Sequence, residues 1–391
     1  FIKMNTKLNN FEEYLKNTIE DKFISLNRYK AGKPIEEIKR EIFKNKKVKI
    51  LKLASNENLT GVDKTILKQL QKELKNIYYY PDDSLYYLLN ELEGFYKIKK
   101  ENIVVGNGAV ELIRYIYQIL VKKGDKIFIP HPSFAIYYID ANLFEAQLIT
   151  YNLMPPDFQI KYEDIKNNLD KIDDPIKLLI ICSPNNPTGS IIFKNDLEKV
   201  LNYALNRNII VILDEAYFEF VDNENYHNGL ELLKEYPNLI VLRTFSKVFA
   251  LAGLRIGIAF TNQYISKALN NIRLPFNVNT LAQKATILAL KNYNTFVDKI
   301  KSIINQKYFL YSKLDQLKKE FNIDYIKTYS NFIAIRVKDA NKVFNELLLE
   351  GIIVRPASDM NLGDYIRVTI SPFKSHNELF IKKFKKVLKK I

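Results

Sequence analysis

Between about residues 50 and 260, short runs rich in Ile, Val and Leu alternate with amphipathic segments of helical length. The runs are Ile103 to Val105, Lys126 to Ile129, Gln147 to Tyr151, Leu178 to Cys182, Ile209 to Leu213, Leu239 to Thr244 and Ile256 to Phe260. Several are apolar at every position, as a strand buried on both faces requires, and the helices between them act as crossovers. The pattern predicts an α/β unit on a mostly parallel sheet. From about 262 to 320 the period is helical. Beyond that, NFIAIRV, a helix, GIIVRP, YIRVTI and a last helix predict a smaller α+β unit. The first 50 residues predict a helix, a loop from Asn27 to Pro34 and a second short helix packed on the smaller unit. The expected organisation is an arm over 1–50, a large unit over 51–270 and a small unit over 271–391.

Composition agrees with an ordinary globular chain. At 391 residues, 47% hydrophobic and 26% charged, with 12 Gly and 13 Pro, the chain is neither collagen-like nor disordered, and it can bury a large core. Its one cysteine, Cys182, cannot form an internal disulfide, so a reducing compartment is expected. The opening FIKMNTKLNNFEEYLK does not read as a secretory signal, and no run approaches the roughly 18 to 20 apolar residues of a membrane span. A cytoplasmic protein without a membrane partner is the expectation. The 59 Lys+Arg against 44 Asp+Glu give a formal charge of +15, which raises the question of a polyanionic partner. Lysines are spread along the chain, with the densest runs at Lys44 to Lys49 and Lys382 to Lys390. No zinc-ligand spacing or aromatic RNA-binding motif accompanies them, so they read as solvated surface and no nucleic acid is expected. The histidines His131, His227 and His376 have no ligand spacing, so no metal is expected either.

In open parallel sheets, ligands sit beyond the carboxyl ends of the strands, so the residues after each apolar run carry the chemistry. After Val105 comes GNGAVE, where Gly106 and Gly108 allow close backbone approach and the helix start near Gly108, Ala109 and Val110 makes an anion site. After Cys182 comes SPNNPTG, whose prolines and Gly189 fix a turn that places Asn186. After Leu213 comes DEAY. Asp214 at a buried strand end needs a cation or a protonated ring nitrogen, and Tyr217 adds a phenol beside it. After Leu242 comes RTFSKVFALAGLRIG, with the hydroxyls of Thr244 and Ser246, the amine of Lys247 and the guanidinium of Arg255. A lysine in apolar surroundings loses its proton readily and becomes a nucleophile. Pyridoxal phosphate requires this set: a lysine for its aldehyde, an acid for its ring nitrogen, donors for its phenolate oxygen and an anion site with an arginine for its phosphate.

With these motifs in order, the chain resembles the fold-type I pyridoxal phosphate enzymes of the class I/II aminotransferase superfamily, and within them the histidinol-phosphate aminotransferases. The resemblance runs from YKAGKPIEEIKREI through LKLASNEN, YYYPDD, GNGAVE, SPNNPTG, DEAY and RTFSKVFALAGLRIG to NFIAIRV, IIVRP and YIRVTI. It implies that Lys247 holds the cofactor aldehyde, that Asp214 faces the pyridine nitrogen, and that Asn186 and Tyr217 hold the phenolate oxygen. Thr244, Ser246, Arg255 and the Gly108/Ala109 backbone are implied at the phosphate, joined by Tyr80 from the other subunit of a homodimer. Phe134, in HPSFAIY, is implied to stack on the ring. For substrate, the resemblance implies Arg367 at an α-carboxylate and Arg355 and Tyr29 at a phosphate, with Asn331 and the Ser55/Asn56 turn nearby. The implied reaction interconverts histidinol phosphate and 2-oxoglutarate with imidazole acetol phosphate and glutamate, in histidine biosynthesis. A threonine-phosphate decarboxylase and an aromatic amino-acid aminotransferase are the neighbouring alternatives, against which ASNEN and YKAGKPIEEIKRE speak. The chain departs from the family's pattern at Leu59, Val110, Val248 and Ser371-Pro372.

Overall fold

The computed structural model describes residues 2–26, 28, 29, 32–44 and 48–391. Asn27, Lys30 and Ala31 of the expected 27–34 loop, and Asn45, Lys46 and Lys47 of the first lysine run, lie outside the described residues. Chain order gives thirteen strands among the described residues: β1 Leu51–Lys52, β2 Ile103–Gly106, β3 Lys126–His131, β4 Gln147–Asn152, β5 Ile176–Cys182, β6 Ile210–Asp214, β7 Leu239–Thr244, β8 Gly257–Phe260, β9 Asp324–Tyr325, β10 Phe332–Arg336, β11 Ile352–Ile353, β12 Arg355–Pro356 and β13 Tyr365–Thr369. Seven of them form one sheet in the order β2-β8-β7-β6-β5-β3-β4. All neighbours are parallel except β8, which runs antiparallel to both β2 and β7.

Alternation along the central strands explains why they are apolar throughout. Leu179, Ile181, Val211, Leu213, Leu239 and Val241 pack into a core on one face. Leu178, Ile180, Ile212, Ile240 and Leu242, one step out of phase, pack into a second core on the other. The helices Ala109–Leu120 and Ala135–Leu143 contribute Leu112, Ile116, Tyr117 and Tyr137 to that second core.

Parallel strands bring the carboxyl ends of β2, β5, β6 and β7 to one edge, and the antiparallel β8 begins at that same edge, where Gly257 pairs with both Gly106 and Thr244. Gly257 lacks a side chain for a physical reason: a Cβ there would run into the backbone of Gly108 and Ala109.

A second sheet, β12-β13-β10-β9, is antiparallel. It packs with the helices Asn294–Lys318, Ala340–Leu349 and Lys374–Leu388. GIIVRP, expected as one strand, is divided: Ile352–Ile353 pairs in parallel with Leu51–Lys52, and Arg355–Pro356 pairs with β13. Ile38 on the helix Ile35–Glu41 packs with Leu348 and Ile353, so this part of the N-terminal arm rests on the smaller unit. Among the described residues no helix is long and apolar enough to cross a membrane, and no group of three or more His, Cys, Asp or Glu side chains could hold a metal.

Candidate active site

A cleft of about 270 Å³ opens at the convergent strand ends. Its walls bring together Tyr29, Ser55, Asn56, Ala109, Phe134, Asn186, Asp214, Tyr217, Thr244, Ser246, Lys247, Arg255, Arg355 and Arg367, residues drawn from the whole length of the chain.

Lys247 follows β7 through the Phe245–Ser246 link. Its Nζ donates to the Ser55 carbonyl at 3.2 Å. Burial, reinforced by the Arg367 charge, lowers its pKa from the ordinary lysine value to about 7. The amine is therefore available unprotonated near neutrality, which is what a nucleophile requires.

Asp214 and Glu215 are adjacent carboxylates that strand alternation sends to different places. Glu215 is consumed structurally: its Oε2 takes Arg243 Nε and Nη2 at 3.0 and 2.7 Å, and its Oε1 takes the Tyr226 hydroxyl and the Gly229 N–H. Asp214 lies in the cleft wall, 4% exposed. Its Oδ1 accepts from the Ala216 N–H at 3.0 Å and its Oδ2 from the Tyr137 hydroxyl at 2.6 Å. Burial raises its pKa and the two donors oppose that rise.

Asn186 sits in a turn locked by Asn185, whose amide donates to the Pro132 carbonyl and to Thr188 Oγ1 and whose backbone carbonyl takes the Gly189 N–H. The Asn186 Oδ1 accepts from Arg367 Nη1 at 2.6 Å. Arg367, on β13, also donates through Nη2 to the Ala54 carbonyl at 2.8 Å, while its buried Nε has no hydrogen-bond partner among the described residues. Tyr217 accepts from Asn56 Nδ2 at 3.0 Å, and burial holds its phenol protonated.

At the other end of the cleft, Thr244 Oγ1 donates to the Ile256 carbonyl and lies within hydrogen-bond distance of Ser246 Oγ, both at 3.0 Å, and Arg255 Nη1 reaches Ser246 Oγ at 3.4 Å. Gly108 is the N-cap of the helix Ala109–Leu120, with φ +87°, and the Arg255 guanidinium occupies the space a Cβ would need. Free N–H groups, two hydroxyls and a guanidinium at one helix start form an anion cradle.

Phe134 lies in the cleft wall with Tyr29 edge-on at 5.9 Å, and the Arg355 guanidinium lies 5.7 Å from the Tyr29 ring centroid. Asn331 stands behind the cleft: its Nδ2 donates to the Asn56 carbonyl at 3.0 Å and holds the Ser55/Asn56 turn. Tyr80 is elsewhere, 81% exposed and stacked on Phe276.

The sequence reading did not single out Tyr137, Glu57 or Ala216, and it assigned Cys182 to the core. Cys182 is indeed buried, and it also lines the cleft beside Asp214. Tyr137 lies three residues after Phe134, in the first turn of the helix that follows β3. Val110, one of the departures from the family pattern, also lines the cleft.

Comparison with known proteins gives the family of the chain. The family model for aminotransferase class I and II matches residues 48–383. Histidinol-phosphate aminotransferase 2 of Carboxydothermus hydrogenoformans is 36% identical over 368 residues, covering 93% of this chain and 97% of that protein. The crystal structure of histidinol-phosphate aminotransferase from Clostridium acetobutylicum superposes with a TM-score of 0.78 at 29% identity, over 88% of this chain and 100% of that one. The Sinorhizobium meliloti histidinol-phosphate aminotransferase, solved with pyridoxal-5'-phosphate, shares the fold with a TM-score of 0.80 at 21% identity, over 95% of this chain and 98% of that one. Matched in sequence over most of its length, the chain belongs to the aminotransferase class I and II family, alongside the histidinol-phosphate aminotransferases.

Proposed function

We propose that the cleft transfers an amino group between histidinol phosphate and 2-oxoglutarate, giving imidazole acetol phosphate and glutamate, with pyridoxal phosphate as cofactor. The observation that carries this reading is the co-location of a buried lysine with a lowered pKa, a buried carboxylate and a hydroxyl–guanidinium anion cradle in one cleft. The donor set fits the cofactor. Lys247 is the amine for its aldehyde, Asp214 the acid for its ring nitrogen, and Asn186 and Tyr217 the groups for its phenolate oxygen. Gly108, Ala109, Thr244, Ser246 and Arg255 are the phosphate site, and Phe134 is the ring's stacking partner.

When bound, the cofactor supplies a carbonyl for the substrate amine and a ring that withdraws electron density from the substrate carbon. The chain's own residues do the rest. Lys247 Nζ would act as the base that carries the proton from the amine-bearing carbon of the substrate to the cofactor carbon that bore the aldehyde. Asp214, held by the Ala216 N–H and the Tyr137 hydroxyl, would be the residue that keeps a proton on the cofactor's ring nitrogen. Arg367 offers its fork to the carboxylates of glutamate and 2-oxoglutarate, and Arg355 with Tyr29 takes the phosphate of histidinol phosphate. Asn56 and Asn331 keep the turn that carries the Lys247 acceptor in place.

The same reading includes a homodimer in which Tyr80 completes the partner's phosphate site. Its support is an exposed aromatic stretch, Tyr78, Tyr79, Tyr80, Tyr86 and Tyr87, with Leu274 and Phe276 also exposed. An apolar surface of this kind is costly unless covered. A cytoplasmic location and the division into 1–50, 51–270 and 271–391 belong to the same proposal.

The deciding experiment compares turnover of histidinol phosphate, phenylalanine and O-phosphothreonine. Preference for the first by at least about tenfold in kcat/KM is expected. Absence of turnover with histidinol phosphate alone would move the assignment to one of the neighbouring activities.

A further inference from the structure

Asp214 presents a problem of electrostatics. A carboxylate that is 4% exposed protonates unless donors hold its charge. Two donors are in place, and they are not equivalent: the Ala216 N–H belongs to the chain's own turn at 3.0 Å, whereas the Tyr137 hydroxyl arrives from another element at 2.6 Å.

Tyr137 is fully buried on the helix Ala135–Leu143. Its backbone carbonyl is pinned by the Tyr117 hydroxyl at 2.8 Å, and its ring meets Phe134 edge-on at 5.7 Å. One stretch of chain thus carries both the ring at the cleft wall and the phenol behind it. Burial pushes the Tyr137 phenol far up, so it stays a donor. Other titratable groups also face Asp214. Cys182, its cross-strand neighbour on β5, is kept a neutral thiol by burial; Glu215 is engaged by Arg243; and the charge on Lys247, whose pKa burial lowers to about 7, fades as pH rises through neutrality.

We propose that Tyr137 is the positioning residue of the cleft's acid: its hydroxyl, donating to Asp214 Oδ2, keeps that carboxylate ionised and turned toward a protonated ring nitrogen. The inference rests on the reading of the cleft given above. Removing the phenol takes away the shorter of the two donors, so Asp214 would take up a proton at higher pH than in the wild type and would lose its hold on the ring nitrogen earlier as pH falls.

The test is equilibrium capture of pyridoxal phosphate by the apoprotein, followed by absorbance from about pH 6 to about pH 8.5, for wild type and Tyr137→Phe. The expected ratio of dissociation constants, variant over wild type, is about tenfold near pH 8 and grows to about a hundredfold near pH 6. Tyr151→Phe removes a buried phenol on β4 that bonds neither Asp214 nor Tyr137, and its ratio is expected to stay flat with pH. Tyr137→His keeps a ring N–H donor, gives a second route should Tyr137→Phe fail to fold, and is expected to return the profile toward wild type. A flat ratio for Tyr137→Phe, or an equally pH-dependent loss in Tyr151→Phe, overturns the inference while leaving the cofactor assignment intact. A wild type that captures no pyridoxal phosphate at any pH overturns the cofactor assignment and this inference together.

Discussion

Lys247 and Arg367 share one cleft, and the cationic arginine helps to keep the lysine neutral. Because the folded pKa is lowered, the amine is unprotonated from about pH 7 upward, where an exposed lysine would still be charged. Capture of pyridoxal phosphate by the apoprotein is therefore expected to speed up through pH 7 and then level off. A midpoint near the free-lysine value of about 10.4 would contradict the burial argument. The two cleft arginines, Arg355 and Arg367, separate by the same residue-level logic under the proposed reaction. Arg355→Ala is expected to raise KM for histidinol phosphate about 30-fold and to leave KM for glutamate within about twofold, the loss of one charge-assisted contact. Equal changes in both would place Arg355 outside the phosphate site. Most of these residues were legible because polar groups stand out against apolar strands. Tyr137 was not: in HPSFAIYYID nothing distinguishes it from Tyr138, since which phenol meets Asp214 depends on how the helix docks on the sheet.

At the scale of elements, the strands β2, β5, β6 and β7 were readable because burial on both faces leaves their central positions apolar, with Lys177 near the start of β5 and Asp214, Arg243 and Thr244 at the carboxyl ends of β6 and β7 as the polar exceptions. Strand direction was not readable. The run ending in Phe260 has the same apolar character as its neighbours, yet β8 is antiparallel, and only its closeness to β7 in sequence, with the RIG turn between, hints at a reversal. That reversal has a chemical consequence, because it returns Arg255 to the edge where the helix Ala109–Leu120 begins. The division of GIIVRP was also hidden: Val354 passes between two sheets, and Pro356 lacks the N–H that a longer ladder would need. Gly108→Ala tests the cradle directly. The new methyl competes with the Arg255 guanidinium at a φ of +87°, so affinity for pyridoxal phosphate is expected to fall at least about tenfold. Unchanged affinity, measured by titration of the apoprotein, would separate the helix start from phosphate binding.

For the whole molecule, the +15 charge resolves into a few cations at the cleft and many on the surface. Several of the latter form exposed ion pairs, such as Lys166 with Asp170 and Lys385 with Glu320, of the kind that contribute little to stability. Tyr80 stacks on Phe276 and is exposed, so its place in the account depends on a second copy. The protein is expected to sediment as a dimer, and Tyr80→Phe to weaken pyridoxal phosphate binding about tenfold without changing the assembly. A monomer with full cofactor affinity would remove the shared site. The most direct test of the central claim is the visible absorption spectrum of the purified protein after addition of pyridoxal phosphate, for wild type and Lys247→Ala. The account predicts a wild-type band that survives gel filtration and changes on addition of histidinol phosphate, and no covalently retained band in the variant. A wild type that stays colourless, or a Lys247→Ala protein that retains the cofactor covalently, would contradict it.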